Sequence, residues 1–259
     1  MLGTKQEELE YVYEKGLKAV PTFGVIPCTA TFGTEPYSEQ PLMPTKKIEG
    51  LRSDGTLHMD HKLVIHKPIS KEGKLHLEKV ISAVYDRGEG KGAKINVDII
   101  AKDEAGDPVF TNTMGYLNRW AGGFGGPKVP HSTVVIPERE ADYEIKDAYP
   151  ENAPLLYRLT GDTYPLHADP AFAKKAGFDR PIVHGLCSLG YACRMMIDAL
   201  FPGEPERMVS IENQFRAVAL PGDHFTLHVW KTGENEALFR MVKDSDGKAI
   251  LDYGRMTWK

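Results

Sequence analysis

The chain has 259 residues, 41% of them hydrophobic and 26% charged, which is enough apolar material for one large domain or two of ordinary size. Its formal net charge of −4 gives no electrostatic basis for binding nucleic acid or an acidic membrane surface, so we expect neither partner. No run approaches the ~18 consecutive apolar residues of a transmembrane helix, and we expect no membrane span.

Cysteine usage and the chain termini indicate where the protein works. Cys28, Cys187 and Cys193 form no C-x-x-C pair, which is typical of reduced core cysteines in an intracellular protein. The first residues lack the apolar core of a signal peptide. The final Thr-Trp-Lys is not an SKL-type peroxisomal signal.

The first half opens with a helix signal and continues as strands. Apolar residues at helical spacing predict a helix over residues 7–19, and the Thr-, Pro- and Ser-rich stretch 28–47 has the composition of a loop. Alternating apolar residues then predict four strands, at 57–65, 74–86, 94–103 and 109–117.

The second half repeats this design after a Gly- and Pro-rich stretch at 121–131, which predicts a boundary between units 1–126 and 127–259. Three further strands are predicted at 225–231, 236–243 and 249–258. The hairpin sequence KDEAG at 102–106 parallels KDSDG at 243–247. Two α+β halves follow, each an antiparallel sheet with a helix on it.

Residues 157–201 carry the polar groups that suit catalysis. Asp162 and His167 flank a turn that Pro165 stiffens. Asp169 precedes Pro170 as a helix cap, and Gly177 has the position of a left-handed helix end.

A long helix begins near Gly185, because apolar residues recur at spacings of three and four from Leu186 to Phe201. Its two charges, Arg194 and Asp198, are four apart and share one face. The unpaired amides at its start suit an anion or a developing oxyanion.

A carboxylate, an imidazole and an amide pair together make a chemical site, although each residue also has a structural interpretation. Asp169 is explained as a cap, and His184 fits a core histidine bonded to backbone. His167, Asp169 and His184 could bind a metal, but the capping role of Asp169 argues against it, and we expect no metal. Neither a nucleophile elbow nor a dinucleotide fingerprint is present in the sequence, and we expect no cofactor.

Two motifs carry a family resemblance: residues 161–170 read GDTYPLHADP and residues 178–185 read FDRPIVHG. They resemble the hydratase 2 motif of the MaoC-like enoyl-CoA hydratases, G-D-x-N-P-L-H-x-D-P followed by F-x-x-P-I-x-H-G. Tyr164 departs from the motif, which has Asn there. First-half segments also match the two-unit members of the family: PTFGVI at 21–26, KP at 67–68 with GKL at 73–75, DRGEG at 86–90, and GGFGG at 122–126.

The resemblance implies the double hotdog, an α+β fold of two antiparallel sheets, each packed on a central helix. The family usually has a further strand and helix ahead of PTFGVI, so we expect an incomplete first unit. The implied activity is reversible hydration of trans-2-enoyl-CoA to (3R)-3-hydroxyacyl-CoA in fatty acid metabolism. Asp162 and His167 would form the acid–base pair and Gly185 the oxyanion site. Substrate-binding positions implied by the resemblance are Lys67, Tyr164, Pro165, Leu166, His184 and Phe215.

Three functions stay open at the level of sequence. Tyr164 is also compatible with an acyl-CoA-binding pseudoenzyme, and the fold also occurs in thioesterases. Acyl-CoA is the expected small-molecule partner, and a homodimer is compatible with the fold. The resemblance points to the peroxisome, whereas the C-terminal residues fit a cytoplasmic protein.

Overall fold

The computed structural model describes residues 6–30 and 56–259. Its nine strands are β1 (Thr56–Ile65), β2 (His76–Asp86), β3 (Ala93–Lys102), β4 (Pro108–Asn118), β5 (Tyr143–Ala148), β6 (Met208–Phe215), β7 (His224–Gly233), β8 (Glu236–Lys243) and β9 (Ala249–Trp258). Its α-helices are α1 (Ile26–Ala30), α2 (Ala153–Tyr157), α3 (Pro170–Lys175) and α4 (Gly185–Leu200). Short 3₁₀ helices include Gln6–Tyr11 and Pro165–His167.

The strands form one continuous sheet in the order β2-β3-β4-β1-β6-β9-β8-β7-β5, with antiparallel neighbours. Outward from the central β1–β6 pair, β4, β3 and β2 on one side match β9, β8 and β7 on the other. The predicted repeat of strands is present in the structure. The two predicted sheets, however, are joined edge to edge, because β1 and β6 cover each other's open edges.

The corresponding hairpins of the two halves both turn at a glycine. Gly106 adopts φ of 86° and Gly247 φ of 68°, so both turns need the left-handed conformation that glycine accepts. In each turn the glycine N–H donates to a carbonyl at the end of the preceding strand region, Asp103 O or Lys243 O, at 3.0 Å. The two turns share the left-handed glycine, but the acceptor lies three residues before Gly106 and four residues before Gly247, so their hydrogen bonding differs.

Two predicted features differ from the structure. The helix predicted over 7–19 is only the 3₁₀ turn Gln6–Tyr11, since Lys18 N folds back to donate to Glu10 O at 2.7 Å and Gly16 is left-handed. A long central helix is present in the second half alone, and α1 is the only α-helix in the described part of the first half. Strands β5 and β6 were not predicted: β5 has only six residues, and the polar run at 212–214 interrupts the apolar pattern of β6.

Helix α4 fills the second half and is buried along most of its length, as predicted. Arg194 on this helix is buried, with its guanidinium 2.8 Å from Glu8, 2.6 Å from Asp147 and 3.5 Å from Asp198. Glu8 is itself 3% exposed, so the cluster ties the N-terminal segment to α4 inside the protein.

The two glycine-rich motifs of the first half surround one carboxylate. Asp86 accepts hydrogen bonds from the amides of Gly88 (2.8 Å), Gly123 (2.8 Å) and Gly125 (2.7 Å). These bonds hold the pKa of Asp86 below its usual range. The motifs thus fasten the stretch after β4 to the end of β2.

All three cysteines are buried and reduced, as predicted. Over residues 6–30 and 56–259, no helix is long and apolar enough to cross a membrane.

Candidate active site

The loop between α2 and α3 brings Asp162 and His167 together. Tyr164 N donates to Asp162 Oδ1 at 3.3 Å, and His167 N donates to Tyr164 O at 3.1 Å. These bonds fold the chain into a tight turn that continues into the 3₁₀ helix Pro165–His167. Both side chains are thereby held on one short rigid segment.

Asp169 is a helix cap, as predicted. Its Oδ1 accepts from Ala171 N at 2.8 Å and from Phe172 N at 3.3 Å, the usual arrangement at a helix start. Gly177 closes α3 with φ of 92°, which confirms the predicted left-handed end. The Asp169 carboxylate therefore serves to cap α3.

Hydrogen bonding fixes the tautomer of His167. Its Nδ1 lies 2.8 Å from Ile182 O, and a carbonyl can only accept, so Nδ1 carries the proton. Nε2 is left as the basic nitrogen when the ring is neutral.

His184 supports His167 from behind. The two imidazole rings stack with centroids 3.7 Å apart and planes inclined by 22°. Nε2 of His184 donates to Asp162 O at 3.2 Å, whereas its Nδ1 is buried with no partner among the described residues. Burial, and then the charge of His167, lower the pKa of His184 to about 2, so this ring stays neutral.

The pKa values of Asp162 and His167 depend on each other. Burial raises the pKa of Asp162, and the charge of His167 opposes that rise. Burial likewise lowers the pKa of His167, and the charge of Asp162 opposes that fall. The carboxyl pKa moves up and the imidazole pKa moves down, which favours neutral forms capable of giving and taking protons.

The start of α4 lies beside this pair. His184 is the residue before Gly185, and the first amides of a helix have no acceptor within it. A Cβ on Gly185 would lie 2.8 Å from Phe215 Cδ1 and 2.9 Å from its Cε1, so only glycine admits the Phe215 ring here. The predicted residues Gly185 and Phe215 are in contact.

The other predicted residues of the loop, Tyr164, Pro165 and Leu166, make contacts that hold the loop in shape. The Pro165 carbonyl accepts from Ala168 N at 3.0 Å, and the Leu166 carbonyl accepts from Ile182 N at 3.4 Å. The Tyr164 ring meets Phe172 edge to face with centroids 5.4 Å apart, and lies 6.2 Å from the His167 ring. Tyr164 therefore packs along the turn that carries both acid–base candidates.

Lys67 is the one predicted site residue that the structure does not bring to this cluster. It follows the C-terminal end of β1 and forms ion pairs with Asp103 and Asp107 of the β3–β4 hairpin. His58, near the opposite end of β1, contacts Phe215 with ring centroids 4.8 Å apart. The eight residues between His58 and Lys67 correspond to roughly 30 Å of extended chain.

Sequence analysis missed three aromatic residues of the site. The Tyr157 ring lies 4.7 Å from that of His184, and its hydroxyl is buried without a partner among the described residues. Tyr116 and His58 pack together with centroids 5.0 Å apart. Burial raises the pKa of both tyrosine hydroxyls, and the charge of Asp162 adds to that rise. The only sequence signal was His58 interrupting an apolar strand.

An apolar cavity of about 300 Å³ adjoins the site. Leu186 and Tyr157 form its wall on the site side, and Val20 and Phe23 form the wall from the N-terminal segment. In the part of the chain that the structure describes, no three His, Cys, Asp or Glu side chains are placed to hold a metal ion.

Two family descriptions match the chain: the MFE-2 hydratase 2 N-terminal domain over residues 1–119, and the MaoC like domain over residues 132–251. A probable enoyl-CoA hydratase 2 of Dictyostelium discoideum is 33% identical over 98% of this chain and 85% of its own length. The chain belongs to the MaoC-like hydratase 2 family. Members of this family are hydro-lyases.

Solved structures agree with this membership. A MaoC-like dehydratase of Phytophthora capsici superposes with a TM-score of 0.83 at 28% identity, covering 97% of this chain and 87% of that one. The peroxisomal multifunctional enzyme type 2 of Drosophila melanogaster gives 0.79 at 26% identity, covering 98% of this chain and 44% of that one. A Mycobacterium tuberculosis double hotdog protein gives 0.54 at 15% identity, covering 93% and 81%, which supports the fold alone. The predicted double hotdog fold is confirmed.

Proposed function

We propose that this protein adds water reversibly to trans-2-enoyl-CoA and forms the (3R)-3-hydroxyacyl-CoA. The observation that carries the proposal is the placement of a half-buried carboxylate, Asp162, and a half-buried imidazole, His167, beside the amide-presenting start of α4. The hydratases among its relatives support the same reaction. Fatty acid metabolism is the corresponding process.

Hydration of an enoyl thioester builds negative charge on the thioester oxygen. The amides at Gly185 would hold that oxygen, because they lack acceptors within the helix and carry the positive end of its dipole. Glycine at this position keeps the amides accessible while the Phe215 ring packs against them.

The protons would move between Asp162, His167 and a shared water. His167 Nε2 is the free nitrogen of the ring, and Asp162 has a raised pKa, so one can take a proton from water while the other supplies one to the α-carbon. His184 would act as a positioning residue, since it stacks on His167 and donates to the backbone of Asp162. Each acid–base group typically contributes about 10²–10⁴-fold.

We assign the acyl group to the 300 Å³ apolar cavity beside Tyr157 and Leu186. Tyr164, Pro165 and Leu166 would shape the wall of the site from the catalytic turn. The first unit, residues 1–126, would accommodate the substrate, and residues 127–259 would carry the chemistry. A peroxisomal site of action follows from the Drosophila relative, with the cytoplasm as the alternative.

A second candidate is an acyl-CoA-binding protein without turnover, and Tyr164 in place of the motif asparagine favours it. Thioester hydrolysis through a cysteine nucleophile is disfavoured. Cys187 lies in the first turn of α4, but burial raises its pKa to about 12, so it is a poor source of thiolate.

The test follows loss of the enoyl thioester absorbance with crotonyl-CoA and a longer trans-2-enoyl-CoA, combined with chiral analysis of the product. We expect the 3R alcohol, and a fall in kcat of about 10²–10⁴-fold for Asp162→Asn and for His167→Ala. Asp169→Asn, which keeps a capping oxygen, is the matched control. Binding of acyl-CoA without turnover would establish the second candidate, and Tyr164→Asn would then be the variant expected to restore hydration.

A further inference from the structure

The face of α4 that lines the apolar cavity leads to Arg194. Leu186 and Gly190 line the cavity, and Arg194 follows them at the same spacing of four residues. Residues at this spacing lie on one face of a helix. With a rise of about 1.5 Å per residue, Leu186 and Arg194 are about 12 Å apart along the helix axis. The cavity therefore runs along α4 from its catalytic end toward the guanidinium of Arg194.

A second wall of this cavity comes from the N-terminal segment. Tyr11 and residues 17–20 line the cavity, and we call these five residues the N-terminal wall. Tyr11 ends the 3₁₀ helix Gln6–Tyr11, and the chain then passes through the left-handed Gly16, with φ of 78°, before residues 17–20 return to the cavity. The hydrogen bond from Lys18 N to Glu10 O, 2.7 Å long, holds the chain in this reversal.

Glu8 attaches the N-terminal wall to α4. Its Oε1 accepts a hydrogen bond from Arg194 Nη1 at 2.8 Å, and both side chains are almost fully buried. Glu8 and Tyr11 are three residues apart in a 3₁₀ helix, where residues at that spacing lie on one face. Because Glu8 is fixed on α4, Tyr11 is fixed beside the cavity.

Arg194 has further carboxylate partners besides Glu8. Its guanidinium lies 2.6 Å from Asp147 of β5 and 3.5 Å from Asp198 of α4. Of the three carboxylates in the cluster, only that of Glu8 belongs to the N-terminal segment. A buried ion pair adds little stability compared with an apolar pair, but it can fix one arrangement of the chain. The pair of Glu8 with Arg194 is placed to fix the N-terminal wall.

We propose that the pair of Glu8 with Arg194 determines how the protein selects among acyl chains, as a positioning pair for the N-terminal wall. This inference rests on the proposed function, in which the acyl group occupies the apolar cavity. A short acyl chain ends near Leu186 and the catalytic turn, whereas a longer one reaches the N-terminal wall. The pair therefore strengthens the binding of long chains and leaves that of short chains unchanged.

The test compares KM for crotonyl-CoA, whose chain ends one carbon beyond the double bond, with KM for trans-2-decenoyl-CoA. Glu8→Gln should raise KM for the decenoyl substrate about tenfold and leave KM for crotonyl-CoA unchanged. A tenfold change corresponds to about two methylene groups that are no longer buried. KM does not depend on how much of the enzyme is folded, so a less stable variant does not imitate this result.

Asp147→Asn is the matched control. It removes one carboxylate from the same guanidinium, but Asp147 lies on β5 and is not among the residues that line the cavity. Asparagine keeps an oxygen that can accept from Ala148 N, as Asp147 Oδ1 does at 2.8 Å. Both KM values of this variant should equal those of the parent.

Three results would overturn the proposal: an unchanged KM for decenoyl-CoA in Glu8→Gln, an equal rise for both substrates, or the same difference between substrates in Asp147→Asn. If Glu8→Gln does not fold, Glu8→Asp takes its place. This variant keeps the charge on a shorter side chain, so KM for decenoyl-CoA should rise by a smaller factor. An unchanged value in Glu8→Asp would then reject the pair as a determinant of selectivity.

A protein without hydratase activity would still permit a decision on the pair. Calorimetric titration of decanoyl-CoA and of butyryl-CoA into the parent and into Glu8→Gln then replaces KM. About tenfold weaker binding of decanoyl-CoA alone supports the pair although the proposed hydration has failed, and equal binding by parent and variant rejects it. Hydration with unchanged KM values in Glu8→Gln rejects the pair while the proposed function stands.

Discussion

Strands β1–β4 and strands β6–β9 have the same order outward from the central pair, yet the space beneath them is filled differently. The second half holds the 16-residue helix α4, whose start forms the site. The described first half has only α1, and its interior includes a buried polar chain in which His61 Nε2 lies 2.8 Å from Asn112 Oδ1 and Asn112 Nδ2 donates to Gly24 O at 3.0 Å. One half carries the proposed catalytic groups, and the other has a buried polar chain and no long helix in its described part.

This difference shows how a duplicated sheet can be divided between chemistry and binding. In the proposed hydration, negative charge develops at a single oxygen, so a single helix start is sufficient. The described first half has no long helix, and the apolar cavity next to Tyr157 and Leu186 lies against its N-terminal segment. The following predictions alter one half while the other serves as reference.

The largest effect is expected from adding a methyl group at the helix start. Gly185→Ala would place its Cβ 2.8 Å from the Phe215 ring, so the ring or the amides must move. Loss of one oxyanion donor costs about 10²–10³-fold in kcat, and we expect a fall of that size in the hydration assay. Gly24→Ala in the first half is the control, since its closest contacts would be 3.3–3.4 Å to Leu63, Ile69 and Phe110. Equal activity of the two variants would contradict the assignment.

The next-largest effect is expected at the ion cluster of Arg194, which joins Glu8 of the N-terminal segment to α4. Arg194→Met leaves Glu8 buried without its guanidinium partner, which is expected to cost about 3–5 kcal/mol of unfolding free energy. Urea denaturation measures the change. The double variant Arg194→Met with Glu8→Gln should recover part of the loss, and strictly additive effects would mean that the pair is not coupled.

A smaller effect is expected on the pH dependence of folding stability, through two histidines of the first half. Burial lowers the pKa of His61 to about 4 and that of His58 to about 3, from an ordinary value of 6.5. The unfolded chain then binds more protons than the folded one between pH 6.5 and 4, so stability is complete above 6.5 and falls as the pH decreases through this window. For His61 the full change is on the order of 3 kcal/mol.

The measurement for this prediction is Tm from pH 8 to 4. His61→Gln should flatten the decline, whereas His66→Gln, at an exposed histidine of the same strand region, should leave it unchanged. An identical decline in parent and His61→Gln would show that His61 does not contribute.

The smallest effect is expected at the carboxylate that fastens the glycine-rich motifs. Asp86→Asn loses charge and one acceptor oxygen from a set of three amide hydrogen bonds. We expect a modest decrease in Tm with hydration unchanged, because these contacts lie in the first half away from the catalytic turn. A fall in kcat would contradict this prediction, because it would show that the hydrogen bonds to Asp86 affect the site. Differential scanning fluorimetry and the absorbance assay measure the two quantities.

Much of the site was predictable because its determinants are local. The cap at Asp169, the left-handed Gly177 and the start of α4 depend on residues within a few positions of each other, and all three were predicted correctly. The helix predicted over 7–19 failed for a non-local reason: a long-range ion pair holds Glu8 against Arg194, and the chain turns back instead of continuing as a helix.

Periodicity, caps and turn residues act over short distances, so the strand repeat, the turn that carries Asp162 and His167, and the apolar helix α4 could all be predicted from the sequence. The sequence could not show that the two sheets join through β1 and β6, that His184 stacks on His167, that Lys67 pairs with Asp103 and Asp107, or that His61 and Asn213 are buried opposite each other on the central strands. These features depend on contacts between residues far apart in the chain, whose geometry is set by packing rather than by local preference.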